Sequence, residues 1–134
     1  MGELTFLSAV SMADQIRRKE LSPVELVEAH LARIHELNSR LNAFVYVDAE
    51  GARRQARTAE AALRQGEKLG VLHGVPLSIK SSIEVAGSPW EAGTKLRAGM
   101  VGERDARKKA APRPAARVQK VRAGKVRGAA AGSH

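Results

Sequence analysis

Leu72-His73-Gly74-Val75-Pro76-Leu77-Ser78-Ile79-Lys80 is the stretch on which the fold turns. Glycine and proline break the chain immediately before a short apolar run, and the run ends on a cation. This pattern predicts a brief buried strand over 77–80, with Pro76 at its edge, where the missing ladder donor is not needed. Residues 81–93 then read as irregular chain, with Gly87, Pro89 and Gly93 as turn signals.

Upstream of that strand the patterning is helical. Residues 8–18 carry Val10, Ala13, Ile16 and Arg17 at helical spacing, with Ser8 as the cap and Leu7 just outside it. Ser22-Pro23-Val24-Glu25 has the form of a capping box. Its proline stands at the first helical position, where its fixed φ suits a helix. Val24, Val27, Leu31 and Ile34 then fall on one stripe until Asn38 and Ser39 close the helix. Ala43-Phe44-Val45-Tyr46-Val47 is short and rich in β-branched and aromatic residues, which predicts a strand or an extended segment. Asp48 caps a third helix running to about Gln65, with Gly66 as its left-handed stop. The inner positions of that helix, Ala52, Ala56, Ala59 and Leu63, are mostly alanine, so it must approach a neighbour closely.

Charge divides the molecule into two pieces. Residues 107–134 hold nine Lys or Arg and no acid, whereas the 14 acidic residues and the other 14 basic ones all lie in residues 1–106. The net charge of +9 therefore describes the C-terminal segment alone. That segment is mostly Ala, Gly, Pro, Arg and Lys, and it lacks the apolar surface to offset an ordering cost of roughly 1–2 kcal/mol per residue. It is expected to be a disordered basic tail, and a nucleic-acid partner is expected only through it, by phosphate neutralisation. It has no aromatic residue for stacking on bases. The chain has no cysteine, which removes disulfides and thiolate metal sites. The first residues show no basic region followed by an apolar core, and no run of 18 apolar residues occurs. A cytoplasmic protein with no membrane partner is the expectation.

The Leu72-to-Lys80 stretch, followed by Ile83-Glu84-Val85-Ala86-Gly87 and Ala92-Gly93-Thr94, resembles the hallmark of the amidase signature family around its catalytic lysine. Further upstream, Glu20-Leu21-Ser22-Pro23-Val24-Glu25-Leu26, then Arg33-Ile34, then Leu41-Asn42-Ala43-Phe44 follow the family's usual opening in order and spacing. The resemblance covers residues 4 to about 106. It implies the first helices and strands of an α/β/α fold. It also implies an enzyme that hydrolyses carboxylic amide C–N bonds through a Ser-cisSer-Lys triad, in a family that includes general amidases and a component of tRNA amidotransferases. No cofactor and no metal are implied, and the partner is a small-molecule amide.

In that scheme the position of the family's lysine is Lys80. A lysine is normally protonated up to about pH 10, so acting as a base requires desolvation or a neighbouring cation. Three pKa units of lowering correspond to about 4 kcal/mol of environment. Ser81 and Ser82 are too close in sequence to Lys80 to be the cis-serine and the nucleophile, and nothing resembling the Gly/Ser-rich segment that carries those two in the family occurs before His134. The change of composition near Ala106 is what out-of-frame translation of a GC-rich gene would produce, so a truncated or frameshifted amidase, inactive alone and marginally folded, is expected. The alternative is a small non-enzymatic binding protein whose basic tail holds nucleic acid. Lys-Ser-Ser at residues 80–82, where the family commonly has an acid after the lysine, inclines the reading toward a general amidase. His30 and His35 are five apart and do not share a helix face as metal ligands would. His73 is expected to serve packing or backbone geometry, and Trp90 to anchor a loop.

Overall fold

The computed structural model describes residues 3–106 together with the backbone of residues 116–120. After a 3₁₀ turn at Leu4–Phe6 come three helices: α1 Ala9–Arg17, α2 Pro23–Leu41 and α3 Ala49–Gln65. Strand β1, Pro76–Lys80, follows, and β2, Ala116–Lys120, pairs with it in parallel.

Each helix begins where its cap was read. The Ser8 side chain accepts from the Ser11 amide at 3.1 Å, Ser22 from the amides of Val24 and Glu25, and Asp48 from Gly51 at 2.8 Å. These bonds satisfy donors that have no partner inside the helix. Gly66 stops α3 at φ +71°, the left-handed conformation a glycine adopts without a Cβ penalty. Helix α2 runs past the predicted stop at Asn38 and Ser39, ending at Leu41 with Asn42 left-handed. Asn38 is the reason the chain can turn there. Its side-chain oxygen accepts from the amides of Ala43 and Phe44, and its amide nitrogen donates to the Phe44 carbonyl at 2.8 Å.

Two apolar clusters hold the helices. Met12, Ala13, Ile16, Leu21, Leu26, Leu63 and Val75 form one, which joins α1, α2 and α3 to the entry of β1. Val27, Leu31, Ala52 and Ala56 form the other, where the alanine face of α3 meets α2. All four predicted inner residues of α3 are buried. The face of α1 is rotated from its predicted stripe: Val10 is 76% exposed, and Met12 takes the inner place beside Ala13 and Ile16. Arg53 of α3 spans the α2–α3 seam, donating to Glu28 at 2.7 and 3.1 Å and to Glu50 at 2.8 Å. The hydrogen bond from Arg53 holds the Glu28 carboxyl below its usual value. The same pair, and then Glu50, pushes the Arg53 guanidinium up.

Residues 43–47 form no continuous strand: the chain bends at Val45 and has a bridge position at Tyr46. Strand β1 extends one residue earlier than predicted, and burial is one-sided: Ile79 is buried, whereas Ser78 and Lys80 are exposed. Of the expected tail over 107–134, only the backbone of residues 116–120 is described. They are a strand, in register from Pro76 opposite Ala116 to Lys80 opposite Lys120, which gives β1 a parallel sheet partner. The ladder is made by main-chain N–H and C=O groups, which pair with little regard to side-chain type. The remainder of that tail, and the disorder expected of it, lies outside the described residues.

Candidate active site

Lys80 is the last residue of β1, and the chain turns immediately after it. The Ile83 amide donates to the Lys80 carbonyl at 2.9 Å, closing the turn Lys80-Ser81-Ser82-Ile83. Ser81, at 6% exposure, is the one buried polar residue among the described residues. Lys80 and Ser82 on either side of it are exposed.

The approach to the strand is held as firmly as its exit. His73 bonds through Nε2 to the Ala59 carbonyl of α3 at 2.8 Å, which makes Nε2 the protonated nitrogen and ties residues 72–75 to the helix layer. Gly74, at φ +78°, lets the backbone pass between Pro23 and Ile16. His73 therefore serves backbone geometry, as read from the sequence.

Beyond the turn, residues 84–106 fold back on themselves. Gly87 donates to Gly102 at 2.8 Å, Gly102 to Ser88 at 2.9 Å, Trp90 to Met100 at 2.8 Å and Ala106 to Glu84 at 2.9 Å, all through the backbone. Trp90 links this loop to the lysine turn: its indole N–H donates to the Ser82 carbonyl at 3.3 Å, and the Arg97 guanidinium lies 4.4 Å from its ring centroid. The loop-anchor reading of Trp90 holds. Glu84 was not singled out in the sequence. Its carboxylate accepts from the amides of Glu103 and Arg104 at 3.1 and 3.4 Å and so gathers the far end of the loop. The signal for it was an acid flanked by apolar residues, Ile83-Glu84-Val85, with 15% side-chain exposure.

Lys80 is thus presented on an ordered turn, with Ser81 and Ser82 adjacent in the chain. His30 is engaged locally through a 2.9 Å bond from Nδ1 to the Leu26 carbonyl, and His35 is exposed. Among the described residues no group of three His, Asp or Glu is placed to hold a metal ion. No helix among them is long and apolar enough to cross a membrane.

Comparison with known proteins places this architecture. The chain is 41% identical over 106 residues to the A subunit of the glutamyl-tRNA(Gln) amidotransferase of Streptomyces coelicolor, covering 79% of this chain and 21% of that protein. It is 42% identical over 99 residues to the corresponding protein of Salinispora arenicola, covering 74% and 20%. Among solved structures, a bacterial aryl acylamidase of the amidase signature enzymes superposes with a TM-score of 0.65 at 30% identity, covering 72% of this chain and 20% of that one. A fatty acid amide hydrolase shares the fold at a TM-score of 0.74 and 21% identity, over 90% of this chain and 21% of its own. The chain spans about a fifth of the length of the curated relatives it matches. A family model described as Amidase matches residues 25–110, and the chain belongs to the amidase signature family.

Proposed function

We propose that these residues form the lysine-bearing N-terminal part of an enzyme that hydrolyses carboxylic amide C–N bonds, with Lys80 as the proton acceptor of a Ser-cisSer-Lys triad. The observation that carries the reading is the place of Lys80: it closes β1 at its carboxyl end, where α/β sheets bind their ligands, and lies inside the stretch matched to the family. The nucleophile and the cis-serine come from a Gly/Ser-rich segment outside the 134 residues. The same segment, packed over the end of β1, would desolvate Lys80, whose side chain is exposed here. The substrate is a small-molecule carboxylic amide, and the protein works in the cytoplasm.

As a 134-residue polypeptide the chain is catalytically silent, because a base without a nucleophile cannot form the acyl intermediate. The test has two arms. The purified 134-residue chain is assayed with a chromogenic anilide, and no turnover above the uncatalysed rate is expected. A polypeptide extended through the serine-bearing segment is then assayed with and without Lys80→Ala, which is expected to abolish turnover. Lysine-dependent turnover by the short chain overturns its silence, and an extended enzyme indifferent to Lys80→Ala sinks the role of Lys80.

A further inference from the structure

We propose that the groove between the Leu4–Phe6 turn, α2 and the first half of β1 binds a small carboxylate with an apolar body. The groove has a volume of about 400 Å³, within the range of small-molecule sites. Its walls are Phe6, Ile34, Phe44 and Leu77, so both phenylalanines of the chain line one depression. Phe6 is 77% exposed, a large apolar area left in water.

Chemistry selects the occupant. Arg33 lines the groove with its guanidinium 5.7 Å from the Phe6 centroid, and none of the lining residues is acidic. Its ion pair with Glu36, at 3.3 Å, uses a single nitrogen and is solvent-exposed. A guanidinium presents five donors, so the rest of the fork can meet a carboxylate while the ligand's apolar body covers Phe6 and Leu77. Charge argues against the two occupants nearest at hand. The chain's own residues 107–134 carry nine cations and no acid, and a second copy would set Arg33 against its own kind. The site is independent of the role given to Lys80.

The test titrates the isotope-labelled 134-residue chain with 4-phenylbutyrate and with its neutral counterpart 4-phenylbutanamide, following backbone amide resonances. Saturable shifts at residues 5–6, 33–34, 44 and 77 are expected with the carboxylate, at a Kd of about 1 mM or tighter. Arg33→Gln is expected to weaken the carboxylate at least about fivefold and to leave the amide unchanged. Phe6→Ala weakens both. Phe6 is a surface residue, and the Arg33 side chain is 42% exposed, so neither change threatens the core. Equal affinity for acid and amide overturns the proposal, since it would mark a merely apolar face. Shifts that track protein concentration without ligand, which mark a second copy in the groove, overturn it too, as does a chain with no saturable response.

Discussion

Gly74→Ala probes the point where the helix layer and β1 meet. Gly74 stands at φ +78°, where an L side chain costs about 1–2 kcal/mol. A Cβ there would lie 2.9 Å from Pro23 Cγ and 3.2 Å from both Pro23 Cβ and Ile16 Cδ1. Neither neighbour can swing away: both are among the largest fully buried side chains, one in the first turn of α2 and one in α1. Overpacking of this kind adds about 1–3 kcal/mol. Gly66→Ala supplies the control, because Gly66 has φ +71° and nothing within 4 Å of its would-be Cβ, so only the conformational cost applies. A domain of about a hundred residues has roughly 5 kcal/mol at the low end of the natural range. With Phe6, Val10, Val71 and Leu96 each more than three-quarters exposed, this one is expected near that end. Gly74→Ala should therefore remove half or more of the stability, and Gly66→Ala distinctly less. Urea unfolding followed by far-ultraviolet circular dichroism measures both, with the m-value held as a check that the unfolded states match. Gly74→Ala is expected to cost at least about 1 kcal/mol more than Gly66→Ala. Equal losses would refute the tight passage between Pro23 and Ile16.

Three further outcomes follow from the helix seams and the loop. Ser22 both caps α2 and donates to Glu60 Oε1 at 2.6 Å, so Ser22→Ala should destabilise by about 1–2 kcal/mol. The double variant with Glu60→Ala should lose less than the sum of the singles, and strict additivity in the same urea assay would dismiss the inter-helix bond. Glu28, its carboxyl held low by Arg53, contributes stability that is present above its unfolded-state value of 4.5 and is lost as pH falls through the depressed folded value. Carboxyl titration by NMR should show the Glu28 midpoint rising in Arg53→Met, and an unmoved midpoint would show that Arg53 is not its cause. Trp90 is the only tryptophan, so Arg97→Met, which uncovers one face of its ring, should shift the chain's intrinsic emission. Identical spectra would mean the stacking does not persist in solution.

The helix starts and stops were legible because each depends on atoms within four residues. Ser8, Ser22 and Asp48 accept from amides two or three positions on, and Gly66 needs only its own φ. The alanine face of α3 was legible for the same reason, since its period is set by one helix. The lysine turn was half-legible: the Gly-Val-Pro entry and the terminal Lys80 mark the strand, but nothing in 80–83 foretells an indole eight residues beyond Ser82 closing on its carbonyl. Asn38 was misread as a helix stop because its side-chain bonds cross to residues 43 and 44, after the helix has ended.

By itself the sequence determined three capped helices, a short strand ending on Lys80 and the resemblance that the family match bears out. The tertiary structure decided which face of α1 is buried, with Met12 inside and Val10 in solvent, because that choice depends on where Leu26, Leu63 and Val75 arrive from other elements. It also decided that His73 serves the Ala59 carbonyl and that β1 pairs with residues 116–120, far along the chain. Caps and periodicity are written in neighbouring residues, whereas a partner distant in sequence is chosen only when the whole chain has folded to bring it near.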